Sequence, residues 1–586
     1  MKSFLPYFKG YTWDCLLAPA FKLLEALMDL AVPLVIAAMI DRGLGSADNT
    51  FLQECFGALL ALMVLGMGFS FTAQYFAARG SVGFTTKLRQ ALFDHVQGLS
   101  YKELDTLGTD TLITRLTSDI NQVQTGLNMG LRLLLRSPFI VFGSMLLAFT
   151  IDVPSALVFV VAIPLLLVVV LGIMARSVPL FTRVQGALDS LLQTTRENLT
   201  GVRVIRAFCR EADEVKEFDE RNGTVTRKNL QVGRWSALMT PGTYLLVNLA
   251  TVVLIRQGAL RVQLGYLAQG DVVALYNYMA QMIIELVKLG SLVVTLNKSV
   301  ACANRIQDIL DVRSTMTYPR PDDTLQPVGA EAPAVAFRNV TFYYNNGAPA
   351  LDHIDFTARR GSTVGIIGGT GSGKSTLVNL IPRFYDVTQG RVEVFGRDVR
   401  EYLEGKLLDH IALVPQKALL FEGTIRDNLC WGNEKATDED LWKALEVAQA
   451  KDVVLGKEGR LDAVVEQNGR NLSGGQKQRL TIARALVKQP DILILDDSAS
   501  ALDFATDLYL RQAIKAMEGE RTVFIVSQRT SSVRYADTIL VLDDGRLVGQ
   551  GTHDQLLQSC PVYQEIFDSQ YPGERLKANN SGKEVG

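Results

Sequence analysis

The sequence predicts an α-helical membrane domain of six spans joined to an α/β domain. Three observations carry that prediction. First, six stretches in the front half, roughly 13–40, 54–78, 130–151, 155–176, 238–260 and 270–297, stay apolar over the ~20 residues of helix that a hydrocarbon core requires. Second, Pro319, Pro321, Pro327 and Pro333 fall in one short polar segment, which reads as a linker. Third, short β-branched runs then alternate with helical segments, as in an α/β domain. Composition agrees: 48% hydrophobic and only 20% charged residues over 586 positions is the average of a membrane half and a soluble half. The expected division is 1–311 membrane domain, 312–334 linker, 335–571 α/β domain and 572–586 disordered tail.

The first apolar stretch runs past Ala18-Pro19-Ala20 to Ile40, too long for a signal peptide, and is read as a retained span. Basic residues set orientation. Lys87, Arg89, Lys102 and Arg115 follow span two, and Arg183 to Arg234 holds ten basic residues after span four. The turn Asp152–Ser155 and the loop Gly43–Thr50 hold none inside, with Arg261 a mild exception between spans five and six. Both termini, both long connections and the α/β domain are therefore expected on the cytoplasmic side of a cell membrane. The connections keep amphipathic helical periodicity, so the spans should continue out of the bilayer as helices. Their hairpin tips are expected near Leu107–Asp119 and Gly201–Glu211.

Charges inside spans are costly and face a polar chamber or a partner. Lys22, Glu25 and Asp29 share one face of span one; Arg132 and Arg136 lie one turn apart in span three; Glu285 and Lys288 are three apart in span six. These groups either line a chamber for amphipathic cargo or pair internally. The six cysteines are scattered without a C-x-x-C pair, which argues against a disulfide framework or structural zinc. With 59 basic and 61 acidic residues there is no basic field, and nucleic acid is not an expected partner.

The chemistry-bearing motifs lie in the second half. Gly368-Gly369-Thr370-Gly371-Ser372-Gly373-Lys374-Ser375 stands between a buried strand, Thr363–Ile367, and a helix opened by Thr376. Glycines let backbone N–H groups turn inward around phosphate oxygens, Lys374 brings a point charge, and Ser375 offers a hydroxyl to Mg²⁺. A second buried run, Asp491–Leu495, ends in Asp496 and Asp497. A carboxylate at such a strand end holds Mg²⁺ through water, which makes Asp496 the expected partner of Ser375. Leu472-Ser473-Gly474-Gly475-Gln476 places a further anion-binding helix start between the two.

Over nearly its whole length the chain resembles a half-transporter of the ABC exporter family, a six-helix domain fused to one P-loop NTPase cassette with a helical subdomain. The resemblance implies ATP and Mg²⁺ as cofactors. It makes Leu472–Gln476 the signature, Gln416 in Val414-Pro415-Gln416 the Q-loop and a further metal contact, Asp503 in Ser500-Ala501-Leu502-Asp503 the D-loop, and Tyr344 the adenine-stacking aromatic. It sets Gly201–Phe208 just before a coupling helix. Two departures fall at catalytic positions. Where the family has a glutamate that polarises the attacking water, this chain has Asp497; where it has a switch histidine, this chain has Gln528. Asp497 is one methylene short, and Gln528 cannot exchange a proton near neutral pH.

In the family two cassettes pair head to tail, each ATP lying between one P-loop and the other chain's signature. Weak catalytic residues beside an intact signature imply the degenerate-site subunit of a bacterial heterodimeric multidrug-type exporter. Its partners would be a non-identical half-transporter, the bilayer and a lipophilic or amphipathic substrate. A slow homodimeric exporter and an ATP-gated channel or regulatory protein are the alternatives.

Overall fold

The computed structural model describes residues 2–45, 48–319, 331–344, 347–517 and 519–572. Part of the expected linker, 320–330, and all but the first residue of the expected tail lie outside these. Two compact units form: Met1–Gly98 with Leu107–Arg313, and Leu99–Thr106 with Ser314–Gly586.

Six helices in the first unit are long and apolar enough to cross a membrane: Thr12–Leu44, Asn49–Gln97, Thr109–Ile151, Val153–Thr200, Glu211–Gln263 and Gln269–Leu310. A helix of 48 residues such as Val153–Thr200 is about 72 Å long, more than twice the ~30 Å hydrocarbon core, so much of it lies beyond the apolar layer. Asp48 and Asp152 cap the second and fourth of these helices through their carboxylates, which accept from Thr50 and Phe51 N–H and from Ser155 N–H. The third pauses at Leu134–Leu135. Pro138, with no N–H, cannot return a bond to the Leu134 carbonyl, and it falls in the first turn of Arg136–Ile151, where proline is tolerated. The packed centre is Leu30, Phe159, Leu254, Leu275, Met279 and Met282, with the Tyr278 hydroxyl donating to the Leu30 carbonyl at 2.8 Å.

The intramembrane charges meet at Arg136. Its guanidinium reaches Glu285 at 2.6 Å, Asp29 at 2.9 Å and Glu25 at 3.8 Å. Glu285 also accepts from Ser137 at 2.7 Å and pairs with Lys288 at 2.9 Å, while Lys22 pairs with Glu25. Three cations thus face three carboxylates across spans one, three and six. Internal pairing engages these six groups, while the buried Nε atoms of both Arg132 and Arg136 have no hydrogen-bond partner among the described residues.

The hairpin tips differ in how they meet expectation. The second is as expected: the long helix ends at Gly201, Val202–Ala207 makes a short helix, and the chain re-enters at Glu211. Phe208 is 73% exposed there, not buried in its own hairpin. The first tip lies earlier than Leu107–Asp119. The long helix stops before Gly98, Tyr101–Leu107 forms the tip, and Gly108 at φ +74° starts the return. Arg115–Asp119 belongs to the returning helix as a π-helical turn, and nothing in it breaks the chain.

In the second unit a six-stranded sheet runs in the spatial order Arg546–Gly551, Thr538–Asp543, Thr363–Gly368, Thr522–Val526, Ile492–Asp496, Ile411–Val414. All neighbours pair in parallel except the outermost, Thr538–Asp543 with Arg546–Gly551. The inner strands are buried along their length, as parallel strands covered on both faces must be. An antiparallel sheet, Leu351–Ala358, Val335–Phe342, Gln389–Val394 and Arg397–Asp398, completes the β layer. Short capped helices, among them Ile425–Cys430 and Asp438–Val447, form the helical portion with Gly474–Val487.

The Arg136 cluster yields a stability prediction. Replacing Arg136 by Met should leave Glu285, whose side chain is 4% exposed, short of its main partner and cost about 3 kcal/mol. Thermal unfolding in detergent should show the loss, and the Arg136→Gln/Glu285→Gln double variant should regain most of it.

Candidate nucleotide site

Strand register assembles the site. Ile366 pairs with Val526, and Val526 with Asp496, so three strands end at one edge of the sheet. The residues that follow them are Gly368 onward, Ser527-Gln528 and Asp497. Ser527 N–H donates to the Ile366 carbonyl and Asp497 N–H to the Val526 carbonyl, each at 3.0 Å, which carries the alignment past the last paired residues.

The glycine loop is built for two different reasons. A Cβ on Gly368 would lie 2.1 Å from the Leu542 carbonyl, and one on Gly373, at φ +93°, 2.6 Å from the Ala350 carbonyl. These two are demanded by the fold. A Cβ on Gly369 would meet nothing within 4 Å, so the fold makes no such demand there. Gly369, Thr370 and Gly371 are exposed and Ser372 is buried. Lys374 opens the following helix and folds back over the loop, its ammonium donating to the Gly368 carbonyl at 3.0 Å and to Ser372 Oγ at 3.3 Å. Burial pushes this ammonium below the usual lysine range, while Asp497 and Asp496 act the other way.

Ser375 Oγ donates to Asp496 Oδ1 at 3.0 Å, which unites the two motifs. Burial raises the Asp496 carboxyl; the Ser375 bond and Lys374 oppose the rise, and Asp497 adds to it. Two hard oxygen donors side by side suit Mg²⁺, which takes few protein ligands and completes its shell with phosphate and water. The described residues contain no group of three or more His, Cys, Asp or Glu side chains able to hold a metal by themselves.

Asp497 sits at φ +45°, an uncommon conformation for a residue with a side chain. Its backbone is fixed by Val526 on one side and by Ser500 on the other, whose N–H and hydroxyl both reach the Asp497 carbonyl. Gln416 Nε2 donates to the Asp497 carboxylate at 3.3 Å. Gln528 is exposed; its carbonyl accepts from Gln570 at 2.7 Å, and no hydrogen bond from its side chain joins it to the described residues.

Tyr344 is 40% exposed and its hydroxyl shares a hydrogen bond with Thr376 Oγ1 at 3.1 Å, which hangs the ring beside the helix that follows the glycine loop. Tyr343 is less exposed and bonds to Thr388 through its backbone only. Sequence reasoning did not single out Tyr385. Its ring lies edge-on to Tyr344 at 5.3 Å, and its hydroxyl donates to Asp105 at 2.6 Å. Burial, with Asp105 second, pushes that phenol up, so it stays a donor throughout the physiological range.

The signature stands elsewhere. Ser473 caps Gly474–Val487 in a closed capping box: its hydroxyl accepts from Gln476 N–H, and Gln476 Oε1 accepts from Ser473 N–H at 3.0 Å. Leu472 is buried beneath. A Cβ on Gly475 would lie 3.1 Å from the Ala501 carbonyl, so the helix start rests against the segment that ends in Asp503. Asp503 itself caps Phe504–Ala516, accepting from Thr506 N–H and Oγ1, and those bonds hold its carboxyl below the usual range. No hydrogen bond joins the signature residues to the glycine loop among the described residues.

Comparisons with known proteins agree along both units. A profile of the ABC transporter transmembrane region matches residues 15–286, and an ABC transporter profile matches residues 351–500. The chain is 37% identical over 553 residues to an uncharacterized ABC transporter ATP-binding protein of Mycobacterium tuberculosis, covering 94% of each. It is 31% identical over 576 residues to an ATP-dependent lipid A-core flippase of Idiomarina loihiensis, covering 98% of each. In fold it resembles a bacterial Atm1-family ABC exporter with ATP bound, at TM-score 0.79 and 24% identity, over 95% of this chain and 98% of that one.

The two glycines should separate by experiment. Gly368→Ala should destabilise the nucleotide-free protein by about 1–3 kcal/mol through overpacking, and Gly369→Ala should leave its unfolding midpoint unchanged. Thermal unfolding of both variants without nucleotide is the check.

Proposed function

This chain belongs to the ABC transporter family, and on that premise we propose that it is one half of a heterodimeric exporter whose own ATP site is degenerate. The observation behind the proposal is an asymmetry within one chain. Everything that grips nucleotide is well built: the glycine loop, Lys374, the Ser375–Asp496 pair, Tyr344. So is the Ser473 cap that would close on a partner's ATP. The residues that would drive hydrolysis are not, since Asp497 is short and Gln528 cannot relay a proton.

The roles follow from the geometry. Backbone N–H groups of Gly369–Gly373 and the helix start at Lys374 would hold phosphate oxygens. Lys374 would exchange its bonds to the loop for bonds to the outer phosphates. Ser375, Asp496 and Gln416 would hold Mg²⁺, which when bound with ATP neutralises charge between the outer phosphates. Tyr344 would stack on the base. Asp497 would have to orient the attacking water, but its carboxylate starts one methylene back and is engaged by Gln416; a shortfall of about 1 Å in a positioned reaction can cost on the order of 100-fold. On this reading the site binds MgATP tightly, turns it over slowly and acts as a clamp, while hydrolysis runs at the site completed by this chain's Ser473-Gly474-Gly475-Gln476.

The distribution of basic residues supports a cytoplasmic cassette and cytoplasmic termini, and the proposed cargo is a lipophilic or amphipathic molecule. The likeness to a lipid A-core flippase supports that class.

Two variants of the assembled pair test the division of labour. Asp497→Ala removes a carboxylate that is already badly placed, so total ATPase should fall by less than about tenfold, or roughly 1.4 kcal/mol of barrier. Ser473→Arg puts bulk and charge where the signature must meet the partner's ATP, and should cost about 10²–10³ in rate. Equal, near-complete loss in both would instead indicate an active homodimer in which Asp497 is the working carboxylate.

A further inference from the structure

Within the second unit a chain of contacts runs from the first hairpin tip to the glycine loop. Asp105, on the tip helix Tyr101–Leu107, accepts the Tyr385 hydroxyl at 2.6 Å. The Tyr385 ring meets Tyr344 edge to face, 5.3 Å between centroids at 83°. Tyr344 in turn shares a hydrogen bond with Thr376 Oγ1, two residues past Lys374. The tip has further anchors: Tyr101 packs on Phe384 at 4.5 Å and lies 6.2 Å from Tyr385, and Glu103 accepts from Thr315 Oγ1 at 2.8 Å.

Tyr385 is not fixed by close packing on every side. A cavity of about 460 Å³ opens beside it, lined among others by Ser100, Asp105, Met316, Tyr343 and Tyr344. Away from the cavity the ring meets Phe342 at 5.7 Å and Tyr101 at 6.2 Å; its polar end is held by one tie. The tie is Asp105, and it is the only hydrogen bond that the Tyr385 hydroxyl makes among the described residues.

We propose that Asp105 and Tyr385 are a positioning pair for the nucleotide base: the carboxylate holds the Tyr385 ring, and that ring, together with Phe342 at 4.8 Å, holds Tyr344 in the orientation that stacks on the base. The proposal rests on the reading of Tyr344 as the base-stacking residue and adds its control.

The test is equilibrium binding of MgATP to the full chain in lipid nanodiscs, at low temperature to suppress turnover. Tyr385→Phe keeps the ring and removes the tie; Asp105→Asn keeps the shape and weakens the acceptor. Each should raise the ATP dissociation constant about three- to tenfold, and the double variant should be no worse than the worse single. In a Tyr344→Ala background, Tyr385→Phe should have no further effect. Competition by inorganic tripolyphosphate, which has no base, should be the same for the parent and Tyr385→Phe. An unchanged ATP affinity in Tyr385→Phe, an effect that simply adds to that of Tyr344→Ala, or an equal loss for tripolyphosphate would each overturn the proposal. A Tyr344→Ala variant that binds ATP like the parent would overturn it as well. A parent chain that binds ATP no more tightly than tripolyphosphate would remove the stacking reading itself, and one that binds neither would remove the nucleotide site.

Discussion

Parallel pairing of three buried strands is the constraint on which the site depends. Thr363–Gly368, Thr522–Val526 and Ile492–Asp496 are locked in register by hydrogen bonds and by burial on both faces. Their carboxyl ends therefore emerge at one edge, and the glycine loop, Asp496-Asp497 and Gln528 are neighbours whatever they do chemically. A slip of one residue would turn Asp496 to the opposite face of the sheet and break its bond to Ser375. The buried Lys374 and Asp496 illustrate the cost of that placement: burial disfavours the charge on both, and their nearness to each other and to Ser375 offsets part of it.

Much of this was legible in the sequence because it is local. The glycine spacing, the apolar run into Asp496-Asp497 and the Ser473 helix start each sit within about a dozen residues, and local pattern suffices to read them. Six span helices were legible for the same reason. The partners of the intramembrane charges were not. Asp29 and Glu285 reach Arg136 across 107 and 149 residues of chain, and periodicity cannot say which helices touch. The same blindness hid Tyr385, which meets Asp105 from 280 residues away. The first hairpin tip was misplaced because helical periodicity continues through Arg115–Asp119. The real stops are Gly98 and Gly108, and neither interrupts the pattern of apolar residues strongly.

The proposed division of labour has a physical logic. Binding nucleotide needs many backbone donors and one cation, and these tolerate small displacements. Orienting water needs one carboxylate at one place. On this proposal a chain would lose turnover through a single methylene at Asp497 while keeping its grip, and would act as a clamp rather than a dead site. The left-handed backbone at Asp497 sharpens this point, because Val526 and Ser500 fix the residue and leave its short side chain little room to make up the distance.

The most direct test supplies the two residues that the proposed degenerate site lacks. Asp497→Glu with Gln528→His, made in this chain within the proposed pair with a second half-transporter, should raise ATP turnover at this chain's own glycine loop at least about tenfold. Single-turnover release of labelled ADP, with the partner's P-loop lysine replaced, reads that site alone. The account predicts slow release from the parent and fast release from the double variant. Release from the parent already as fast as from the double variant would contradict the claim that this site is degenerate.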